Sequence, residues 1–123
     1  ITLSQVIYFV LRCVEQMRGG EVYVPNIPSM RLTDLSQVVA PGCQIEVIGI
    51  RPGEKLHEVL ISEDEAHHTT ETDDMFVIQP LAPWWNGRQS DAFTLPDGFR
   101  FSSNTNENWL SQDELRLMIE ELS

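Results

Sequence analysis

Apolar residues recur at three- and four-residue intervals over the first eighteen positions, where Leu3, Val6, Ile7, Val10, Leu11, Val14 and Met17 form one stripe. That spacing predicts a helix over 3–18 with the stripe packed inward. Thr2 and Gln5 fit a capping box at its start, and Gly19–Gly20 supply its stop. "EVYVP" then reads as a strand ended by Pro25, and "NIPSM" as a loop held by Pro28. "RLTDLSQVVA" predicts a short helix with Leu35, Val38 and Val39 inward, ended by Pro41–Gly42. Next, "QIEVIGI" carries Ile45, Val47, Ile48 and Ile50, the pattern of a short buried strand. In "RPGEKLHEVLIS", Leu56, Val59 and Leu60 recur at helical spacing, and Pro52 suits a first helical turn. The expectation for 44–62 is therefore strand, turn, helix. "MFVIQP" predicts a further strand, and "SQDELRLMIEEL" a closing helix with Ser111 and Glu114 in capping-box positions. Its inward residues are Leu115, Met118, Ile119 and Leu122. From 80 to 108 Pro, Gly, Asn, Ser and Asp dominate, which predicts an irregular segment.

This alternation of helices and strands places the chain in the α/β class, and 123 residues suffice for one small domain with its own core. The chain starts at Ile1 and enters a helix almost at once, which we read as a cut through a larger protein. A net charge of −11 argues against a nucleic-acid or anionic-membrane partner, yet leaves room for a small anion held by a few local cations. No apolar run approaches the about 20 residues of a membrane span, and no signal peptide is recognisable. Cys13 and Cys43 are read as two buried thiols of a reducing compartment, so we expect a cytoplasmic protein.

Candidate chemistry is sparse. No glycine-rich dinucleotide fingerprint follows any strand. Lys55 is the only lysine, and neither Tyr8 nor Tyr23 stands four residues before it, so a tyrosine–lysine proton-transfer pair is absent. His57–Glu58 lacks the second histidine of a zinc helix. The adjacent His67 and His68 diverge in direction with no cysteine nearby, so no metal site is expected. Glu63–Asp64–Glu65 and Asp73–Asp74 read as solvated acidic faces, and Trp84–Trp85 as surface packing or a subunit contact in preference to a sugar-stacking platform. Arg51 and Glu54 remain. A guanidinium offers a planar donor fork for phosphate oxygens, and a carboxylate three residues on can accept from two vicinal hydroxyls. Together they suit the pyrophosphate and ribose of a nucleotide sugar. The same spacing equally suits an ion pair that merely caps a helix, and spacing alone leaves both readings open.

Four blocks, "GGEVYVPNIPSMRLTDL", "IEVIGIRPGEKLHEVLISEDEA", "DDMFVIQP" and "FSSNTNENWLSQDELR", resemble in order the C-terminal third of the UDP-N-acetylglucosamine 4,6-dehydratases (inverting). These belong to the extended short-chain dehydrogenase/reductase superfamily and act in polysaccharide, pseudaminic acid and capsule biosynthesis. The resemblance spans nearly the whole chain. It departs at Asn26 and Arg31, where the family's loop commonly has lysines, and at His67 and Thr70, where arginine and an aromatic are usual. It implies the C-terminal substrate-binding part of an NAD(P)-binding Rossmann-like fold. Residues 1–79 would be the nucleotide-sugar-binding α/β portion, 80–108 an irregular extended segment and 109–123 the C-terminal helix. A Rossmann domain outside this chain would hold NADP and the catalytic acid, base and lysine, leaving no catalytic, cofactor-binding or metal residue here. In such enzymes hydride leaves C4 of the sugar, water is eliminated across C5 and C6, and hydride returns to C6 with inversion at C5. The "RPGE" residues Arg51 and Glu54 would grip the UDP moiety of UDP-N-acetylglucosamine, and a homo-oligomer is expected. Another UDP-sugar epimerase or dehydratase, or a non-catalytic nucleotide-binding or assembly module, are the alternatives.

Overall fold

In the computed structural model, which describes residues 1–72, 74–82 and 93–122, the chain begins as its capping box dictates. Thr2 Oγ1 accepts from the Gln5 N–H at 3.3 Å, and Gln5 Oε1 accepts from the Thr2 N–H at 2.8 Å. These bonds satisfy two of the donors a helix start leaves open. The elements in chain order are α1 (Leu3–Gln16), β1 (Val22–Pro25), α2 (Leu32–Val39), β2 (Val59–Ile61) and α3 (Glu63–Ala66). They continue as β3 (Thr69–Glu71), β4 (Met75–Ile78), β5 (Phe93–Thr94), β6 (Phe101–Ser102) and α4 (Gln112–Glu120). They divide into two units, one of Ile1–Ile27 with Val59–Phe101 and one of Pro28–Glu58 with Ser102–Ser123. Asp73, Trp84 and Trp85 lie outside the described residues.

The first unit is built on an antiparallel sheet in the order β1-β4-β3-β5. The four residues of β4 are all buried, as a continuous apolar run in a central strand should be. Val24, Ile61, Ala66, Phe76, Ile78, Leu95 and Phe101 form its core. Phe76 stands 5.0 Å from Phe101 and 5.8 Å from Phe99 between ring centroids, in tilted contacts that aromatic quadrupoles favour. At the start of β3, Thr69 is wholly buried, and its hydroxyl is satisfied by donating to the Glu65 carbonyl at 2.6 Å. Gly20 has a left-handed φ of 93°, and a Cβ there would stand 3.3 Å from the Pro80 ring.

In the second unit α2 packs on α4. Gln112 Nε2 donates to Asp34 Oδ1 at 3.0 Å and to Gln37 Oε1 at 2.9 Å across that contact. Ser29 is bracketed by residues 108–110, its N–H donating to the Asn108 carbonyl and its carbonyl accepting from the Leu110 N–H, both at 2.8 Å. Arg31 lies over the Trp109 ring at 5.8 Å, a cation–π contact.

Several expectations fail here. The stripe of α1 is not packed inward: no α1 residue is buried and Leu3 is 71% exposed. That face stays largely open, and among the α1 residues only Phe9, Arg12 and Cys13 are half-buried. Residues 44–50 form no strand ladder, and Val47 is 89% exposed. No helix follows them. Gly53 sits at φ 89°, outside the helical region, and the β-branched Val59 and Ile61 go into β2, which pairs with β6. Cys43 is exposed rather than buried, and both thiols are free. Val39 and Leu122 are exposed rather than inward. The segment over 80–108 is not wholly irregular, since it contributes β5 and β6. The helix α3 and the strand β3 were not anticipated at all.

Candidate functional site

Arg51 and Glu54 are brought together by a tight turn, not by a helix face. The Glu54 N–H donates to the Arg51 carbonyl at 3.0 Å, closing a four-residue reversal. Pro52 in its second position and left-handed Gly53 in its third are the residues a type II turn requires. The Glu54 side chain then folds back, and its Oε2 accepts from the Arg51 N–H at 2.8 Å. Its other oxygen, Oε1, lies 3.9 Å from Arg51 Nε. Both side chains remain exposed, at 71% for Arg51 and 52% for Glu54. The carboxylate therefore caps its own turn and loosely faces the guanidinium, whose terminal nitrogens bond no described residue. What the turn offers a ligand is one open guanidinium fork with a carboxylate oxygen beside it.

Lys55, next in sequence, makes no ion pair with a described residue. Several acidic residues are engaged away from the turn. Asp74 pairs with Arg12, whose guanidinium also lies 6.0 Å from the Tyr8 ring. Glu65 and Glu114 serve as capping-box partners of Ser62 and Ser111, and hydrogen bonds from those serines hold both carboxyls below their ordinary range. So Glu65 belongs to a helix cap within what the sequence presents as a plain acidic run. His67 Nδ1 stands 3.7 Å from Asp97 Oδ1, and among the described residues no group of three His, Cys, Asp or Glu side chains could hold a metal.

A shallow groove of about 290 Å³ runs beside α1, lined by residues that include Phe9, Cys13, Met17, Glu21 and Tyr23. Its polar groups are not poised for chemistry. Burial pushes the Cys13 thiol and the Tyr23 phenol above their usual pKa values, and Glu21 accepts from the N–H groups of Arg18 and Gly19.

One contact escaped the sequence. Ser103 lies 3.4 Å from the His57 ring, six residues beyond Arg51. With the two 46 positions apart in the chain, no local spacing could have joined them.

The arrangement of helices and strands is that of an extended short-chain dehydrogenase/reductase-like α/β fold. It superposes on the X-ray structure of Pen from Bacillus thuringiensis with a TM-score of 0.78 and 31% identity, over 99% of this chain and 37% of that one. The chain belongs to the polysaccharide biosynthesis protein family, whose profile matches residues 1–80. Two relatives come from Campylobacter jejuni subsp. jejuni, and both are named UDP-N-acetylglucosamine 4,6-dehydratase (inverting). The one from serotype O:2 is 40% identical over 94% of this chain and 37% of its own length. The one from serotype O:23/36 is 39% identical over 94% of this chain and again 37% of its own. The chain thus spans little more than a third of the length of these curated relatives. No helix among the described residues is long and apolar enough to cross a membrane.

Proposed function

We propose that this chain is the nucleotide-sugar-binding portion of a UDP-N-acetylglucosamine 4,6-dehydratase (inverting) of bacterial surface polysaccharide biosynthesis. The observation that carries the reading is the Arg51–Glu54 turn, a rigid Pro–Gly corner that presents an open guanidinium fork beside a carboxylate. In this reading Arg51 binds diphosphate oxygens and Glu54 Oε1 accepts from the ribose hydroxyls. The names of the relatives support the substrate class. The reading also makes the protein cytoplasmic and homo-oligomeric.

The chemistry lies elsewhere. NADP, which would supply the hydride acceptor and donor, does not fit this chain, whose sequence has no glycine-rich phosphate cradle and no tyrosine–lysine pair. What these residues do is hold and orient the nucleotide. The 123-residue chain incubated with UDP-N-acetylglucosamine and NADP should therefore yield no 4-keto-6-deoxy sugar.

The decisive test is calorimetric titration of UDP into the full-length product of the gene. A charge-assisted contact to phosphate contributes about 1.5–3 kcal/mol, so Arg51→Ala should lower affinity roughly ten- to a hundredfold. Arg12→Ala and Arg116→Ala, whose guanidinia pair with Asp74 and Asp113, should leave it unchanged. Arg51→Lys should restore only part of the loss, since an ammonium cannot reproduce the two-pronged geometry. Unaltered affinity in Arg51→Ala would reduce the turn to a self-capping corner.

A further inference from the structure

We propose that His57 is a further nucleotide-binding residue, donating from Nε2 to an anionic oxygen of the ligand, and that Ser103 is the positioning residue that fixes its ring. The proposal rests on the reading of the Arg51–Glu54 turn as the nucleotide site. The stretch that follows the turn is clamped at one point. The Ser103 N–H donates to the Glu58 carbonyl at 2.9 Å, and the Glu58 N–H donates back to Ser103 Oγ at 3.1 Å. Backbone and side chain of one serine thus hold the residue next to His57.

Ser103 is itself well anchored. The turn that carries it is closed by the Thr105 and Asn106 N–H groups donating to the Ser102 carbonyl at 3.1 and 3.0 Å. Ser102 Oγ donates to Asn104 Oδ1 at 2.7 Å, and the Ser102 N–H to Thr105 Oγ1 at 3.1 Å. A rigid turn therefore delivers the Ser103 hydroxyl to the His57 ring, 3.4 Å from Nδ1.

The proton count allows the hydroxyl to meet the ring in either direction, and the tautomer decides between them. A hydroxyl has one proton and two lone pairs. The Glu58 N–H takes one lone pair; the second can accept from a protonated Nδ1, and in the proposed arrangement the hydroxyl proton goes to Nδ1 instead. An imidazole accepting at Nδ1 carries its own proton at Nε2, and the protonated ring carries one there too. In that tautomer, and in the protonated ring, Nε2 presents an N–H, and no described residue accepts it. The ring is exposed.

The neighbourhood suits an anion. In a chain of net charge −11, Arg51, Lys55 and His57 fall within seven residues. Of the acids of the same stretch, Glu54 caps the turn beside Arg51, and Glu58 bonds Ser103 through its backbone while its carboxylate bonds no described residue. Six extended residues would separate Arg51 from His57 by about 20 Å at most, and the Pro52–Gly53 reversal shortens that reach.

The experiment uses the full-length gene product labelled with ¹⁵N-histidine and titrated with UDP, the His57 signals being assigned by their loss in His57→Gln. We expect the neutral His57 ring to be the Nε2–H tautomer, and its Nε2 resonance to move with UDP while those of His67 and His68 stay. His57→Ala should weaken UDP about three- to tenfold. His57→Gln, whose amide nitrogen can stand near the position of Nε2, should recover most of that. Ser103→Ala should mix the tautomers and weaken UDP, and Ser103→Thr, which keeps the hydroxyl, should restore both. Weakened UDP in Arg51→Ala with wild-type affinity in His57→Ala would overturn the His57 proposal and leave the turn standing. Unchanged affinity in Arg51→Ala would remove the turn, while an Nε2 response to UDP in that variant would uphold His57 alone. An Nε2 resonance indifferent to UDP, or no UDP binding by the unsubstituted protein, overturns the proposal.

Discussion

At the scale of single residues, the observed cap of Glu54 and its proposed contact with the ribose can be separated by a substitution. Its Oε2 caps the turn through the Arg51 N–H, while Oε1 stays available to solvent. Glu54→Gln retains a carbonyl oxygen for the cap and removes the charge. It should therefore preserve the turn, lower UDP affinity less than Arg51→Ala, and blunt discrimination between UDP and its 2′-deoxy analogue. Titrations with both nucleotides check this. Identical discrimination in Glu54→Gln and the parent would show that the carboxylate is a cap alone. Stability gives an independent reading of the same pair. Exposed ion pairs contribute about 0–1 kcal/mol, so Arg51→Ala should shift Tm by less than about 4 °C while binding collapses. That Arg51 and Glu54 meet was legible, because it depends on residue type and spacing alone. Their backbone was not, because helix and turn place residues three apart similarly close, and only the left-handed Gly53 decides between them.

At the scale of elements, capping boxes were the most dependable signal, and their chemistry predicts a pH response. Thr2–Gln5 and Ser111–Glu114 start α1 and α4 where the sequence pattern puts them. Ser62–Glu65 has the same spacing, yet it starts the four-residue α3 inside an acidic run, where no apolar periodicity draws notice. Removal of that cap by Ser62→Ala should cost about 0.5–2 kcal/mol, read as faster amide exchange in α3 and a lower Tm. The Glu65 carboxyl is held below its ordinary 4.5 chiefly by the Ser62 N–H and hydroxyl. A depressed folded pKa adds stability that is complete above pH 4.5 and is lost as pH falls through the folded value. Thermal melts should therefore weaken below pH 4.5, and Glu65→Gln should flatten that part of the profile. Equal acid sensitivity in Glu65→Gln would assign the loss to other carboxylates. The helix expected after the turn failed for a different reason. Val59 and Leu60 satisfy either period over so short a run, and burial of Ile61 in the core settles the matter for β2. Ile61 is fully buried, so Ile61→Val should cost about 0.5–1.5 kcal/mol in a denaturant titration.

At the scale of the whole molecule, the apolar surface is the unusual feature. The α1 residues Leu3, Ile7, Leu11 and Val14 and the extended residues Ile45, Val47, Ile48 and Ile50 are each more than half exposed. Soluble monomers seldom present contiguous apolar patches beyond a few hundred Å². Amphipathic periodicity shows which residues of a helix form its apolar face, but it does not say what that face packs against, and so the stripe was legible and its exposure was not. The chain spans only 37% of its curated relatives, and the −11 charge is too diffuse to keep such faces apart at close range in physiological salt. The 123-residue chain on its own should therefore self-associate with rising concentration and bind a hydrophobic dye, as light scattering after size exclusion and fluorescence would record. Leu11→Glu with Val14→Glu adds two charges to the exposed stripe without disturbing the core of Val24, Phe76 and Phe101. That variant should bind less dye and shift toward monomer, with little change in the circular dichroism of the helices. A monodisperse monomer of the unsubstituted chain that melts cooperatively above about 60 °C, near the top of the mesophile range, would show that these faces need no cover.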